Sequence, residues 1–162
     1  MPTSNRLVVA DTGPLIALAR LELLELLPAL FQQVYLTPTV LSECEAKPDC
    51  GEGVRIRLAV DAGRLELLAP REALPRWGID PAETSAIALA LEQGAGVLMD
   101  DKAGRSVAMQ LGVKVIGTAG VLVLAKRRGR LAGVRTHLDA LIASGYFLGA
   151  NVVAEALRMA EE

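Results

Sequence analysis

The stretch LVVADTGPLIAL, residues 7–18, contains an apolar run that ends on a carboxylate and then turns at once into a second apolar segment. Leu7–Ala10 is short, aliphatic and valine-rich, as expected of a buried strand, whereas the residues after the Gly-Pro pair have helical spacing. Asp11 therefore stands where a strand gives way to a helix. A second stretch, VLMDDKAGR at residues 97–105, repeats the arrangement with two aspartates. We predict that these stretches form two walls of one acidic site.

Short apolar runs alternate with helical segments along the rest of the chain. This alternation predicts strands joined by crossover helices, and hence an α/β fold with a mostly parallel central sheet. The helix with the clearest boundaries has Asp80 as N-cap, Pro81 at its first position and Gly94 at its end. Residues 15–31 also look helical, with Pro28 separating the last turn. The predicted strands are residues 7–10, 34–37, 65–69, 96–99 and 113–117, and two tail helices are predicted near 132–143 and 150–161.

The composition limits the possible classes of protein. With 162 residues, 52% of them hydrophobic, and no linker pattern, the chain is predicted to form a single domain over residues 1–162. The formal net charge of −2 gives no global basic field, so any contact with nucleic acid must come from a local patch. The sequence has no signal-peptide pattern and no apolar run of ~18 residues, which predicts a cytoplasmic protein without membrane contact.

Histidine and cysteine are too scarce to carry the chemistry. His137 is the only imidazole in the sequence. Cys44 and Cys50 fit neither a zinc pattern nor a redox motif. A histidine-based triad and a zinc-histidine hydrolase are therefore excluded, and any catalysis must depend on carboxylates.

Five acidic residues are candidates for that chemistry: Asp11, Glu43, Glu83, Asp100 and Asp101. Asp11 follows the first predicted strand, and Asp100 and Asp101 follow the fourth, at the sheet edge where ligands gather. Glu43 lies in the helix after the second strand, and Glu83 in the first turn of the helix that leads to the fourth. Carboxylates brought together repel one another and raise their own pKa values, and Mg²⁺ or Mn²⁺ relieves that conflict through oxygen ligation. The pattern predicts a metal-dependent phosphodiester or phosphoryl site.

Each of these carboxylates also has a purely structural interpretation. Asp11 and Asp101 can cap the helices that follow them, and Glu83 occupies the third position of a capping box. Glu43 is ordinary on a solvated helical face. Asp100 has no equally natural structural task.

The basic residues suggest only a local contact with phosphate. Lys102 and Arg105 lie beside the predicted site and are candidates for that contact. The one dense basic cluster, within residues 126–130, is interpreted as a favourable, solvated helix C-terminus rather than an RNA contact. Glu52 is interpreted as solvated surface charge.

The order and spacing of these elements resemble the PIN-domain family, which includes the toxin subunits of VapC-type toxin–antitoxin pairs. The matching segments are VVADTGPLIAL, LTPTVLSECEA and the run from GIDPAETSAIALALEQGAGVLM through DDKAGRSVAMQLGVKVIGTAGVL. The last run looks like short, stand-alone prokaryotic PIN-like proteins. The resemblance spans about residues 7–131, and the helical tail over 132–162 lies beyond it.

The resemblance implies a three-layer α/β/α sandwich and an acidic cluster that binds Mg²⁺ or Mn²⁺ for RNA hydrolysis. Carried over by position, the first family aspartate is Asp11 and the helical glutamate is Glu43. The acidic residue of the later helix is Glu83, and the last one is Asp101 or Asp100, because a shift of one residue decides which of the two faces the metal. The resemblance also implies a homodimer and a cognate antitoxin protein whose tail covers the acidic groove.

Two functional hypotheses follow. In the first, the protein is an endoribonuclease whose Asp11 and Asp101 bind the metal most directly, while Glu43 and Glu83 position the cation or the attacking water. In the alternative, it is a non-catalytic PIN-like protein that acts through a protein partner. The alternative is favoured by the acidic balance and by Gly13, where the family often has serine or another small polar residue. A phosphoacceptor receiver is disfavoured because its paired acids would follow the first strand.

Overall fold

A computed structural model describes residues 6–46 and 51–162, and its centre is a parallel sheet. Within these ranges five strands pair in the order β3-β2-β1-β4-β5, and each neighbouring pair is parallel. The strands are β1 (Leu7–Ala10), β2 (Gln33–Leu36), β3 (Glu66–Leu67), β4 (Gly96–Leu98) and β5 (Val115–Ile116). Each overlaps one of the predicted segments, so the predicted sheet is confirmed.

Helices connect the strands and pack around the sheet, which confirms the predicted α/β sandwich. In the part of the chain that the structure describes, they are α1 (Thr12–Arg20), α2 (Leu26–Leu30), α3 (Pro38–Glu45), α4 (Gly51–Asp61), α5 (Pro81–Gln93), α6 (Lys102–Gln110), α7 (Thr118–Arg127), α8 (Arg135–Ala143) and α9 (Ala150–Met159). The predicted ends of α5 are confirmed, because Asp80 Oδ1 accepts from the backbone N–H of Glu83 at 2.8 Å and Gly94 has a left-handed φ of 64°. None of the helices in residues 6–46 and 51–162 has the length and apolar character needed to span a bilayer.

Strand β1 lies in the middle of the sheet and fixes where the first acidic residue stands. Val8 and Val9 are completely buried, and Val9 pairs in register with Tyr35 of β2 on one side and Val97 of β4 on the other. A parallel sheet covered on both faces favours such a continuous apolar run over an alternating one. The backbone N–H of Asp11 still bonds to the β4 carbonyl of Leu98 at 2.9 Å, so the chain leaves the sheet only after Asp11.

The prediction of one helix over residues 15–31 up to Pro28 is wrong, because two helices, α1 and α2, are separated by a turn in the middle of this range. Helix α1 ends at Arg20, and Glu22 then adopts a left-handed φ of 59°, which a continuing helix does not allow. The backbone N–H of Leu23 returns to Leu18 at 2.8 Å, as in a helix-terminating turn. Helix α2 begins at Leu26 and contains Pro28 in its first turn, where the missing N–H removes no helical hydrogen bond. The break therefore precedes the proline.

The tail forms two helices where the sequence predicts them, and basic residues of α7 anchor it. Lys126 Nζ donates to the carbonyl of Ala160 at 2.7 Å and to Glu162 Oε2 at 3.0 Å. Glu162 also accepts from the backbone N–H of Val134 at 2.7 Å, and Arg127 donates to the carbonyl of Met159. The interpretation of this cluster as a solvated helix end is confirmed for its exposed arginines but is incomplete, because Lys126 and Arg127 also bind the tail.

Glu52 is buried, so its assignment to the solvated surface is wrong as well. Arg20 Nε donates to Glu52 Oε1 at 2.8 Å, and Nη1 of the same guanidinium donates to Ser144 Oγ at 3.1 Å. This arginine therefore joins α1 to both α4 and the end of α8.

Candidate functional site

Polar side chains gather at the carboxyl edge of the sheet. Asp11 directly follows β1, Thr37 follows β2, Asp100 lies two residues beyond β4, and Thr118 lies two residues beyond β5. Because all the strands are parallel, these four positions lie on the same edge. Open parallel sheets bind their ligands at this edge.

A chain of hydrogen bonds ties the end of β2 to α5, the helix that carries Glu83. Thr37 Oγ1 accepts from the backbone N–H of Val40 at 3.1 Å, which caps α3. The same oxygen lies 2.7 Å from Ser85 Oγ, which donates to the carbonyl of Ala82 at 2.8 Å. The Thr37 hydroxyl therefore donates to Ser85, since that serine has already used its own proton. These buried bonds hold the first turn of α5, and with it Glu83, against the edge.

Asp11 has a buried carboxylate oxygen without a hydrogen-bond partner. It is 5% exposed, its Oδ1 has no hydrogen-bond partner, and although it stands at the N-cap position of α1 its side chain makes no capping bond. The pKa of Asp11 is raised to about 7, mainly by burial and also by the negative charges of Asp80, Glu43 and Asp100, whereas the hydrogen bond from the backbone N–H of Thr12 acts to lower it. The predicted capping role is therefore wrong. A buried carboxyl without donors favours either a proton or a cation.

Asp100 is held by three donors from two distant parts of the chain. Its Oδ1 accepts from the backbone N–H of Thr118 at 2.8 Å, and its Oδ2 accepts from Thr118 Oγ1 at 2.6 Å and from the hydroxyl of Tyr146. The view that Asp100 lacks a structural task is wrong, because it satisfies the first N–H of α7. A carboxylate has about four acceptor positions, so about one remains for a ligand.

Asp101 points to a different neighbour from that of Asp100. Its Oδ2 accepts from the backbone N–H of Gly104 at 2.9 Å, so it caps α6, and its predicted structural role is confirmed. Its charge raises the pKa of Glu83, whereas the charge of Asp100 raises that of Asp11. The two consecutive aspartates thus lie beside different members of the acidic set.

Glu83 is a second buried carboxyl, on the α5 side of the edge. The pKa of Glu83 is raised to about 8 by burial first, and then by its hydrogen bond and charge contact with Asp80 and by the charges of Asp101 and Asp11. A Cβ added at Gly104 would lie 3.2 Å from Glu83 Oε2, so a glycine in α6 leaves room for this carboxyl. A carboxyl that titrates near neutral pH is suited to exchange protons with a water molecule.

Glu43 is exposed on α3, and its negative charge raises the pKa values of two buried groups near it. It contributes to the raised pKa of Asp11, and together with burial it raises the pKa of the Cys44 thiol to about 12. Cys44 is buried and stays protonated, so it is a packing residue. Cys50 lies outside the described residues.

The two basic residues expected beside the site differ in their environment. Arg105 is half-buried, and its Nη1 donates to the carbonyl of Met99 at 2.8 Å. A Cβ at Gly117 would lie 2.9 Å from both this nitrogen and Asp100 Oδ1, so the guanidinium and the carboxylate approach the same stretch of backbone. Lys102 is exposed at the start of α6. Both cations lie on the Asp100 side of the edge.

The chemistry of these side chains fits a hard divalent cation. Asp11 offers an unpartnered buried oxygen, and both Asp11 and Glu83 have pKa values raised by burial and by neighbouring negative charges. In the described ranges, no three histidine, cysteine, aspartate or glutamate side chains form a ready-made group that could hold a metal ion. Mg²⁺ commonly keeps several waters and binds through only one or two carboxylates, so a set of this kind remains suited to it.

The five candidate acids therefore surround one edge, although they do not form a single tight cluster. Charge contacts link Asp11 to Glu43 and Asp100, and link Glu83 to Asp101 and Asp11. Sequence analysis missed three members of this network: Asp80, Thr118 and Tyr146. Asp80 was predicted only as the N-cap of α5, and the sequence analysis assigned Thr118 no role at this edge. Nothing in the local sequence around Tyr146 indicates that it reaches this edge.

Comparisons with known proteins agree with this arrangement. A family model described as a PIN domain matches residues 7–162 and thus includes α8 and α9. Among solved structures, the chain is similar to a PilT N-terminus domain protein from the hyperthermophilic archaeon Sulfolobus solfataricus P2. The TM-score is 0.51 and the sequence identity 17%, over 74% of this chain and 92% of that chain, a similarity of fold. No curated protein matches this chain.

Proposed function

Because this chain belongs to the PIN-domain family, whose members are generally nucleases that use divalent metals, we propose that it is a Mg²⁺- or Mn²⁺-dependent endoribonuclease. The observation that carries the proposal is the buried Asp11 carboxyl, whose Oδ1 has no partner and whose pKa is raised to about 7. A buried carboxylate oxygen that has no donor destabilises the charged form of the site, and a bound cation would relieve that cost.

In this proposal the acidic residues divide into two groups. Asp11 and Asp100 are the residues that hold the cation, since their charges act on each other and Asp100 keeps about one acceptor position free. Asp101 and Glu43 contribute negative charge around them. A cation held by Asp11 and Asp100 would lower the pKa of a bound water molecule and offset the charge that develops on the phosphate.

The remaining chemistry falls to residues on either side of Asp11. Glu83, with a pKa of about 8, accepts a proton from the water that attacks phosphorus, and the bond between phosphorus and the leaving ribose oxygen breaks as the new one forms. Arg105 uses Nη1 on the Met99 carbonyl and has other N–H donors for a phosphate oxygen. Lys102 adds a mobile positive charge at the same end of α6.

The test is cleavage of a mixed cellular RNA pool by purified protein freed of any co-purifying partner. Mg²⁺, Mn²⁺ or excess chelator is added, and the Asp11→Ala and Asp139→Asn proteins are run alongside. Asp139 is exposed on α8, so its variant controls for the loss of one negative charge. We expect metal-dependent cleavage that Asp11→Ala abolishes and Asp139→Asn retains. Full metal-dependent activity in Asp11→Ala would sink the assignment of this residue.

The alternative is a non-catalytic PIN-like protein that acts through a protein partner. It is favoured by the three donors that occupy Asp100 and by the lack of a ready-made three-ligand group in the described residues. A folded wild type that binds Mn²⁺ stoichiometrically but cleaves no RNA would support this alternative against the nuclease.

The biological setting belongs to the proposal as well. A cognate antitoxin would make the protein the toxin of a toxin–antitoxin pair, so its expression alone should arrest growth and co-expression with the small protein encoded beside it should relieve the arrest. We also propose a homodimer. A monomer seen by light scattering at micromolar concentration would contradict that proposal.

A further inference from the structure

The link between α8 and α9 brings a phenol to the acidic edge. Gly145 ends α8 with a left-handed φ of 91°, and the backbone N–H of Tyr146 bonds back to Leu141 at 3.1 Å. Arg20 Nη1 donates to Ser144 Oγ at 3.1 Å, next to this turn. From this turn the hydroxyl of Tyr146 donates to Oδ2 of Asp100, which lies 46 residues earlier in the chain.

A glycine in the first turn of α1 leaves space for this phenol oxygen. Gly13 is the second residue of α1, a position where most other residues would favour the helix more. A Cβ added there would lie 3.0 Å from the oxygen of Tyr146. Leaving aside the adjacent backbone, no other atom of the described residues lies within 4 Å of that Cβ position. The phenol oxygen alone therefore fills the space above Gly13.

We propose that Tyr146 is a positioning residue of the acidic site, whose hydroxyl enters over Gly13 and holds the Asp100 carboxylate in the orientation that faces Asp11. The inference rests on the proposed function and extends the site to the C-terminal tail. Tyr146 acts through Asp100, as outer groups commonly orient the carboxylates that bind a metal.

Two features of the site suit this role. The hydroxyl of Tyr146 is a neutral hydrogen-bond donor, so it binds the Asp100 carboxylate without adding a charge to the edge. Thr118 holds the same carboxylate from the side of α7, so Asp100 lies between two hydroxyl donors. Removing one of them leaves Asp100 able to rotate while the fold around it stays closed.

The test uses Tyr146→Phe and two double variants. Gly13→Ser/Tyr146→Phe places a new hydroxyl in the space that the phenol oxygen leaves, and Gly13→Ala/Tyr146→Phe fills the same space without one. Mn²⁺ binding is measured by titration calorimetry, RNA cleavage as a function of Mn²⁺ concentration, and stability by unfolding in denaturant. We expect Tyr146→Phe to weaken Mn²⁺ binding ~10-fold and to lower the unfolding midpoint modestly, as the loss of one hydrogen bond to a carboxylate does, while the protein stays folded. The serine double variant should recover part of that loss, and the alanine double variant none.

The outcomes separate this inference from the proposed function. An active wild type together with unchanged Mn²⁺ affinity in Tyr146→Phe overturns the role of Tyr146 and leaves the ribonuclease intact. Equal affinities in the serine and alanine double variants overturn it too, because packing rather than a hydroxyl would then matter. A wild type that binds no Mn²⁺ overturns both proposals. If Tyr146→Phe does not fold, Gly13→Ala carries the same test, since its methyl group displaces the phenol oxygen; unchanged Mn²⁺ affinity there would overturn the inference.

Discussion

Replacing Asp11 with asparagine should stabilise the metal-free protein at alkaline pH. The pKa of Asp11 is raised from its ordinary value of 3.8 to about 7, mainly by burial. A group whose pKa is higher in the folded state contributes stability that is complete below the ordinary value and is lost as the pH rises through the folded value. The loss attributable to Asp11 therefore develops between about pH 4 and pH 8.

The size of the effect follows from the same two values. Between about pH 5 and pH 8, a carboxyl with these pKa values lowers the free energy of unfolding by ~2.5 kcal/mol, a figure that local relaxation reduces. Asparagine has nearly the same shape and no charge, so the variant should gain that amount on the wild type over this range. For a chain of this length the gain corresponds to roughly 5–10 °C in melting temperature.

The assay is chemical denaturation of both proteins at several pH values, in excess chelator. The difference between the two proteins is compared across pH, which cancels any constant cost of placing an amide at this position. Asp139→Asn should follow the wild type at every pH, and saturating Mn²⁺ should protect the wild type from the alkaline loss but leave Asp11→Asn unchanged. A difference that does not vary with pH would refute the view that this carboxyl is buried without a partner.

Two further substitutions test the supports of the site. Gly104→Ala should lower the free energy of unfolding by about 1–2 kcal/mol in the same denaturation assay. A Cβ there lies 2.5 Å from the sulfur of the buried Met99, and this overpacking outweighs the better helix propensity of alanine. Gly51→Ala is the control, because its Cβ has open space around it and the variant should be neutral or slightly stabilised. Thr118→Val should lower the free energy of unfolding by about 1–3 kcal/mol, because it leaves Asp100 facing a methyl group. Thr118→Ser keeps the hydroxyl and should retain most of that stability. Equal stabilities of the valine and serine variants would contradict this account.

Sequence reasoning succeeded for the strands and for the start of α5. The strands are short apolar runs that need burial on both faces, so β1 and β4 could be predicted from about ten residues each. The positions of Asp11 and Asp100 at the carboxyl edge then follow from parallel pairing alone. The N-cap of α5 is equally local, because Asp80 bonds to a backbone N–H only three residues away.

The details of the site depend on partners that are distant along the chain. Asp100 and Asp101 have the same side chain and consecutive numbers, and what distinguishes them is that donors from α7 and from the tail converge on the first. Glu52 looks like surface charge until α1 brings Arg20 to it from 32 residues away. In the same way Lys126, in a cluster interpreted as solvated, is engaged by a carbonyl 34 residues later. Periodicity and spacing carry no information about such pairs.

The contact between Tyr146 and Asp100 also bears on how the protein is made. A ribosome releases β1 and Asp11 early, and the phenol of Tyr146 that bonds to Asp100 emerges only after all five described strands have been synthesised. Chains shortened before the turn that follows α8 keep the whole sheet but lack the hydroxyl over Gly13. Incomplete translation products would thus carry an acidic edge at which Asp100 lacks one of its two hydroxyl donors.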